Sequence, residues 1–300
     1  MLGSVFAPGF FANDAVHVAL VVGTAVAIVT AVVGVFTVMR GQSFAGESLG
    51  DIGTTGGSLA SLIGVGPLAG FVAIDVLAAA VMELIGVQRV RGRDLATGIV
   101  LGAAIGLAAL FLYLDTTRGA GSGSTVTILF GSIFAISSAS IPAVVALAAL
   151  ALALIALLYR PLTLATVSPE IAAARGIPVR AVGALYLLAL ALATALAAIT
   201  IGTILSTALL IGPAAAALRL TGRPLRAILV ASTLGIAAVW IGIVLAYDSY
   251  QWPPAEHGWP VSFFVVALIF LSYLLSGLPG LLARRRVRRS DRARRVAMES

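Results

Sequence analysis

Nine stretches of the chain are each long and apolar enough to cross a lipid bilayer, and this repeated pattern limits the fold more than any other feature. They cover residues 16–39, 43–65, 68–87, 95–114, 142–158, 181–199, 202–218, 227–246 and 261–278. A transmembrane helix needs about 20 such residues, and the stretches do not alternate as the strands of a membrane barrel would. With 60% hydrophobic and 10% charged residues, the composition is not that of a soluble domain, for which about 25% charge is usual. The sequence therefore predicts an all-α polytopic membrane protein with about nine transmembrane helices.

Several segments interrupt this pattern. Residues 126–138 are apolar but short and contain Ser and Gly, which is typical of a half-helix or a re-entrant segment. Residues 161–180 form a long, moderately polar loop, and the Gly-Pro pair at 212–213 is expected to bend the span at 202–218. We expect residues 1–283 to form one transmembrane domain and the basic residues 284–300 to form a disordered cytoplasmic tail.

The arginines lie almost entirely on one side of the predicted topology. When the loops are alternated, only Arg118 falls on the other side. The arginines that share a side are Arg40, Arg89, Arg91, Arg93, Arg160, Arg175, Arg180, Arg219, Arg223, Arg226 and those of the tail. The positive-inside rule makes that side cytoplasmic, so the N-terminus would lie outside and the C-terminus inside the cell membrane. The net charge of +7 is then explained by topology and by tail contacts with anionic lipid, not by nucleic-acid binding.

Sequence motifs for catalysis are absent. The chain has no cysteine, and therefore no disulfide, thiolate metal site or catalytic Cys. It contains no His-Glu-x-x-His motif, and no Gly-x-x-x-x-Gly-Lys-Ser/Thr motif that would bind the phosphates of ATP. We expect a transporter without a bound cofactor, not an enzyme.

Two acidic residues stand out in the second predicted span. Glu47 and Asp51 are four residues apart, so on a helix they share one face and repel each other. An ionised side chain within a bilayer costs about 2.5–3.5 kcal/mol on insertion scales, while the Gly, Ser and Thr neighbours would let a helix approach or a solute pass. These features favour a cation, a proton or a wet cavity at the pair. The alternative is an ordinary hydrated pair near a membrane face, since Arg40 precedes Glu47 by only seven residues.

Residues 166–178 are predicted to form a short cytoplasmic helix with both ends specified. Its start has an N-cap residue, a proline at the first helical position and an acid for the positive end of the helix dipole. Its end has a basic residue, a glycine for a left-handed stop and a proline that blocks continuation. These residues are, in chain order, Ser168, Pro169, Glu170, Arg175, Gly176 and Pro178. Because so short a helix is marginal alone in water, it lies either against the protein's own membrane face or against a cytoplasmic partner.

Four separated motifs give the chain a resemblance to a known family. They are Arg-Gly-Gln-Ser-Phe-Ala-Gly-Glu-Ser-Leu-Gly-Asp at 40–51, Phe-Gly-Ser-Ile at 130–133, Ser-Pro-Glu through Arg-Gly-Ile-Pro at 168–178, and Gly-Thr-Ile-Leu through Leu-Leu-Ile-Gly-Pro-Ala-Ala at 202–215. In order and spacing they resemble the permease subunits of metal-ion ATP-binding cassette (ABC) importers, the ABC-3 family of zinc, manganese and iron permeases. The resemblance covers about residues 16–278.

This resemblance implies a type II ABC importer fold, like that of vitamin B12 permeases, working as a homodimer or pseudo-dimer. The capped loop would be a coupling helix that docks on a cytoplasmic ATP-binding subunit, where ATP would be hydrolysed. An extracytoplasmic metal-binding protein would deliver the substrate, a divalent metal ion. The residues implied in coupling are Ser168, Pro169, Glu170, Arg175, Gly176, Ile177 and Pro178.

The chain departs from the family at the predicted metal site. Where the family has an Asp followed four residues later by a His, this chain has Glu47 and Asp51, and Ser168 stands where the family usually has Asp. Carboxylates suit harder ions such as manganese, whereas imidazole suits zinc and iron. The resemblance predicts a transient divalent-metal site at Glu47 and Asp51 and leaves the metal open.

Three other residues are weaker candidates for the metal path. Asp75 lies deep in the third span, where it either lines the path or pairs with a neighbouring helix. His17 and His257 fall near the outer mouth, where they either meet arriving metal or are hydrated loop residues. Two other functions stay open: a secondary transporter with the intramembrane acids as a proton relay, and a permease of the same fold class for a siderophore or cobalamin.

Overall fold

The structure, a computed structural model, describes residues 13–85, 93–117, 122–131, 133–250 and 258–278, together with Phe10 and Trp252. The described residues form helices and contain no strand, which confirms the all-α prediction. The helices are α1 (Asp14–Met39), α2 (Ser43–Leu62), α3 (Pro67–Ile85), α4 (Arg93–Asp115), α5 (Ser122–Phe130), α6 (Ile141–Val167), α7 (Pro169–Ala174), α8 (Val179–Ile201), α9 (Thr203–Leu220), α10 (Pro224–Ser249) and α11 (Val261–Leu278). The predicted tail at 284–300 lies outside the described residues.

Eight of the described helices are long and apolar enough to cross a membrane, namely all except α2, α5 and α7. Helix α2 has 20 residues and so measures about 30 Å, the thickness of a bilayer core, but it is too rich in Gly, Ser and Thr to reach the same hydropathy. With α2 included, the described helices match the nine predicted spans. Helix α5 has nine residues, which is too short to cross.

Side-chain contacts define the two ends of the bundle. At the end that carries α7, Arg40 after α1 approaches Thr166 near the end of α6, with 3.5 Å between Nη1 and Oγ1. At the opposite end, the Ser61 hydroxyl on α2 donates a hydrogen bond to the Asp115 carboxylate on α4 at 3.0 Å. We call these the α7 end and the opposite end.

The core is built around α1 and α8, the two most buried spans. Helix α1 packs on α6, α8, α9 and α10, and α8 packs on α2, α3, α6 and α9. Large side chains between them are fully buried, among them Phe36, Tyr186, Leu190 and Leu209. In a membrane such close packing, rather than exclusion of water, holds helices together.

Helices α2 and α3 approach each other backbone to backbone. A Cβ atom added at Gly56 would lie 2.1 Å from the Gly70 carbonyl oxygen, and one added at Gly70 would lie 2.1 Å from that of Gly56. Only glycine fits at such a crossing. The contact fixes α3 against the opposite-end half of α2.

One predicted boundary was wrong. Helix α6 continues through Pro161 to Val167, so the predicted loop at 161–180 is mostly helical. A proline costs the helix one hydrogen bond, but Leu162 and Ala165 beyond it are buried in the bundle, and this packing holds the last turns. Helix α9 runs unbroken through Pro213, and the bend expected there stays a prediction.

Candidate functional site

Helix α2 is a membrane-length helix made mostly of small residues, and it is held on several sides. It contacts α3, α4, α5, α8 and α9, and most of its residues are buried. The Thr55 hydroxyl donates to the Ala104 carbonyl of α4 at 2.7 Å. Its neighbours therefore fix the position and rotation of α2.

One short part of α2 is not covered. In its first turns Phe44 and Glu47 are exposed and Asp51 is half-buried, whereas Ser48, Leu49 and Gly50 beside them are buried. Glu47 and Asp51 lie one turn apart on the same face, close enough for their charges to repel. We call these two residues the acidic stripe. Acids on membrane helices almost always face the interior of a helix bundle or a water-filled cavity, so their position here favours water over lipid tails at this face.

Among the described residues, the acidic stripe supplies two carboxylates. In the part of the chain that the structure describes, no group of three or more His, Cys, Asp or Glu side chains could hold a metal ion together. Divalent ions take four or more ligands. A metal at the stripe would complete its coordination with water, or with groups from another chain, and would be held loosely.

Asp75 lies elsewhere. Its side chain on α3 is fully buried, and Oδ2 accepts a hydrogen bond from the Thr194 hydroxyl of α8 at 3.0 Å. Oδ1 has no hydrogen-bond partner among the described residues and points at α2, where a Cβ added at Gly53 would lie 2.4 Å from it. Gly53 and Asp51 are about 200° apart around a helix with 3.6 residues per turn, so the structure does not bring Asp75 to the acidic stripe.

The histidines are not brought to the stripe either. His17 is exposed in the first turn of α1, at the opposite end, whereas the stripe lies in the first turns of α2 near the α7 end. His257 lies outside the described residues.

The capped helix α7 forms as the sequence predicts, between two spans. Ser168 takes the N-cap position with extended backbone, although its side chain makes no capping hydrogen bond, and Pro169 is the first helical residue. At the other end the Gly176 amide donates to the Ala173 carbonyl and the Ile177 amide to the Ala172 carbonyl. This is a Schellman stop, which needs a left-handed residue, and Gly176 has a φ of +76°.

Helix α7 attaches to the bundle through one face. Ala172 is fully buried, while Glu170, Arg175 and Ile171 are exposed, Ile171 by 51%. Val167, just before α7, is 73% exposed. Exposed apolar side chains beside charged ones at the end of a bundle are typical of a protein docking surface.

A polar cluster links α7 to the start of α2, and sequence reasoning missed it. The guanidinium of Arg40 lies 5.0 Å from the ring centroid of Tyr186, and its Nε donates to Gln42 Oε1 at 3.1 Å. The Tyr186 hydroxyl lies 2.8 Å from the Thr37 hydroxyl. Gln42 is the N-cap of α2, and Thr166, next to Arg40, lies three residues before Pro169. The tyrosine, which is the single aromatic residue of α8, was the available signal.

These features define a class: a polytopic helical permease whose central, small-residue helix turns acidic side chains out of the bundle and whose capped helix projects from one end. The chain belongs to the ABC 3 transport family, which residues 12–276 match. This confirms the resemblance that the sequence motifs indicated.

Relatives and a solved structure agree with this assignment. The chain is 28% identical over 277 residues to the manganese transport system membrane protein MntC of Listeria innocua, covering 92% of this chain and 96% of the relative. It is 31% identical over 266 residues to MntC of Halalkalibacterium halodurans, covering 89% of each. Its fold matches a chain of PsaBC from Streptococcus pneumoniae in complex with Fab with a TM-score of 0.77 and 26% identity, covering 90% of this chain and 93% of that chain. The predicted importer-permease fold is thereby confirmed.

Proposed function

We propose that this protein is the permease subunit of an ABC importer that carries a divalent metal ion into the cytoplasm. The observation that carries the proposal is the acidic stripe: two carboxylates exposed on a membrane helix that is otherwise packed into the bundle. Membership of the ABC 3 transport family and the relatives named as manganese transport proteins support it.

The stripe suits an ion in transit. Two carboxylates offset the 2+ charge of the ion, and the ion removes the repulsion that the empty pair suffers. Few protein ligands mean weak binding, which a conduit needs because the ion must also leave. Hard oxygen ligands favour manganese over softer ions, in agreement with the names of these relatives.

A homodimer would complete the path. Two copies whose acidic stripes face each other would bring four carboxylates to one channel and would cover the exposed face of α2. The same arrangement would remove Phe44, 39% exposed beside the stripe, from contact with lipid.

Helix α7 would couple the path to ATP hydrolysis in a separate cytoplasmic subunit. The exposed Ile171 and Glu170 form a surface to which such a subunit can bind, and the capped ends of α7 hold that surface in one conformation. The Arg40 cluster connects this surface to α2. In this orientation the opposite end, with His17, faces the extracytoplasmic protein that delivers the ion.

The test is uptake of radioactive Mn²⁺ into proteoliposomes that hold the permease, its ATP-binding subunit and its metal-binding protein. We expect uptake that requires ATP and all three components, and none with an ATP-binding subunit that cannot hydrolyse ATP. Uptake by the permease alone, driven by a proton gradient, would show a secondary transporter instead. Uptake of a metal chelate but not of free Mn²⁺ would show a permease for larger cargo.

The coupling surface has its own test within this assay. Gly176→Val forces a β-branched residue into the left-handed stop and should abolish binding of the ATP-binding subunit without preventing membrane insertion. Gly222→Val is the matched control, because Gly222 lies in the α9–α10 turn at the same end without a positive φ and with open space around it. Equal behaviour of both variants would remove α7 from the coupling surface.

A further inference from the structure

The turn between α1 and α2 lies at the α7 end and is fixed by backbone hydrogen bonds. The Gly41 amide donates to the Val38 carbonyl at 3.1 Å. The Gln42 amide donates to the Thr37 carbonyl at 2.9 Å, and the Gly46 amide donates to the Gln42 carbonyl at 3.1 Å in the first turn of α2. The start of α2 therefore follows the end of α1 directly, and the acidic stripe begins one residue after Gly46.

Arg40 in this turn contacts three other parts of the bundle. Its Nε donates to Gln42 Oε1 at 3.1 Å, and Gln42 is only 4% exposed. Nη1 lies 3.5 Å from the Thr166 hydroxyl oxygen in the last turn of α6. The guanidinium carbon lies 5.0 Å from the ring centroid of Tyr186 on α8. One side chain thus joins the start of α2 to the α7-end parts of α6 and α8.

The ring of Tyr186 holds Arg40 from inside the core. Tyr186 is fully buried, and a guanidinium over an aromatic ring is attracted by the negative face of that ring. The Thr37 hydroxyl already donates to the Val33 carbonyl at 2.9 Å, so in its 2.8 Å contact with Tyr186 the tyrosine hydroxyl is the donor. The ring is therefore held at its hydroxyl end, and it gives Arg40 a defined position.

Helix α7 packs on α6 and α8, the two helices that Arg40 contacts beyond the turn. A single residue, Ser168, separates the end of α6 from the start of α7, and Thr166 lies two residues before it. A subunit that binds and moves α7 therefore displaces the end of α6, where Thr166 meets Arg40. Through Gln42 the same guanidinium is attached to the first turn of α2.

The contact between α2 and α9 permits such a displacement. Beside the acidic stripe, α2 presents Gly46 and Gly50 to α9. Added Cβ atoms at these glycines would lie 2.8 Å from Leu210 Cδ2 and 2.9 Å from Ser206 Oγ. Small sliding movements of packed helices are a common form of conformational change. A contact in which one helix contributes glycines opposes sliding least, because no side chain of that helix has to change its rotamer.

We propose that Arg40 is a positioning residue that transfers a displacement of α7 to the start of α2, and so changes the position of the acidic stripe. The inference rests on the proposed function and names the side chain through which the ATP-binding subunit acts on the metal path. In this role Arg40 contacts neither the ion nor the ATP-binding subunit. Its loss should therefore separate ATP hydrolysis from transport and not abolish both.

The reconstituted complex with its ATP-binding subunit and metal-binding protein tests this separation. Arg40→Gln removes the guanidinium and its contacts with Thr166 and Tyr186, while the exposed residues of α7 stay unchanged. We expect the ATP-binding subunit to bind and to hydrolyse ATP as with the wild type. Mn²⁺ imported per ATP hydrolysed should fall about tenfold, the size expected for loss of one hydrogen bond to a charged group. Arg160→Gln, which removes an exposed arginine of α6 at the same end, should keep the wild-type ratio.

A second measurement follows α2 without any metal. The chain has no cysteine, so Phe44→Cys places a single thiol beside the acidic stripe, at a position that is 39% exposed. Its rate of modification by a water-soluble maleimide should change when the ATP-binding subunit is loaded with a non-hydrolysable ATP analogue. With Arg40→Gln added, the rate should no longer respond to the analogue. This readout needs no transported ion, so it tests the inference even where Mn²⁺ is not the cargo.

Gln42→Met tests the same contact from its other side. It removes the acceptor of the Arg40 hydrogen bond and keeps a side chain of similar length, so it should reproduce the loss of coupling with Arg40 in place. The proposal is overturned if both variants import Mn²⁺ at the wild-type ratio to ATP, or if the thiol at position 44 still responds to the analogue in their presence. Loss of binding of the ATP-binding subunit in either variant would also overturn it, because the cluster would then serve only to shape α7.

Discussion

Acidic side chains lie at two faces of α2, exposed or half-buried at one face and fully buried at the other. On one face Glu47 is exposed and Asp51 is half-buried, so both carboxylates can meet what lies outside the bundle. On the far face the carboxylate of Asp75 is sealed between Gly53 of α2 and Thr194 of α8, with one oxygen lacking a hydrogen-bond partner among the described residues. Both sites border α2 and both consist of carboxylates, but only the acidic stripe can be reached from outside the bundle.

Access decides what each carboxylate can do. Within a single chain the acidic stripe is reachable without any helix of that chain moving, so the stripe suits a transient cation site. At Asp75 the contact with Gly53 leaves no room for an ion unless α2 and α3 separate. The comparison therefore indicates a transport role for the stripe and a packing role for Asp75.

The largest effect is expected from neutralising the stripe. Glu47→Gln with Asp51→Asn keeps the side-chain volumes and removes both charges, so the site loses its attraction for a divalent ion. Mn²⁺ uptake by the reconstituted complex should fall to the level of liposomes without the permease.

Expression and thermal unfolding of this double variant should stay as in the wild type, because both side chains are at least partly exposed and removing their repulsion costs the fold nothing. Wild-type uptake would mean that the stripe is structural and that the path lies elsewhere.

The second effect is a loss of stability on the buried face. Gly53→Ala places a Cβ atom 2.4 Å from Asp75 Oδ1. Inserting an extra carbon atom into a packed core typically destabilises a protein by about 1–3 kcal/mol. The melting temperature of the detergent-solubilised permease should fall. Gly102→Ala on α4 is the matched control, since nothing lies within 4 Å of its added Cβ.

A double-mutant cycle ties this loss to Asp75. Adding Asp75→Ala to Gly53→Ala removes the clashing atoms, so the double variant should be more stable than the sum of the two single losses predicts. Simple additivity would place the strain of Gly53→Ala somewhere other than at Asp75.

The sequence was sufficient for some of these features and not for others, for physical reasons. The caps of α7 are local, so Pro169 and Gly176 mark its two ends without reference to the rest of the chain. Helix α6 passes Pro161 because distant helices bury Leu162 and Ala165, which no local pattern reveals. The spacing of Glu47 and Asp51 predicts a shared face but not its exposure, and Asp75 could not be placed relative to the stripe without the packing of α3 on α2.

A smaller effect is expected from changing the kind of ligand at the stripe. Asp51→His keeps a metal ligand but replaces a hard oxygen with an imidazole nitrogen. It should retain part of the uptake and shift the preference from manganese towards zinc, measured as competition of Zn²⁺ against radioactive Mn²⁺. Glu47→His is the control for position, and an Asp51→His variant with wild-type manganese preference would show that Asp51 does not contact the ion.

The smallest effect is expected at Asp75. Asp75→Asn keeps the volume, and its amide oxygen can still accept the hydrogen bond that Thr194 donates. A hydrogen bond between membrane helices contributes about 0.6 kcal/mol on average, so even Thr194→Val, which removes the donor, should lower stability only slightly.

If Asp75 serves packing, Asp75→Asn should leave Mn²⁺ uptake near the wild-type rate, in contrast to the neutralised stripe. If Asp75→Asn instead abolishes Mn²⁺ uptake without lowering the melting temperature, Asp75 lies on the metal path. The variant keeps the side-chain volume and removes the charge, so uptake would then depend on that charge. The pair of measurements, rate and melting temperature, separates the two roles at a single carboxylate.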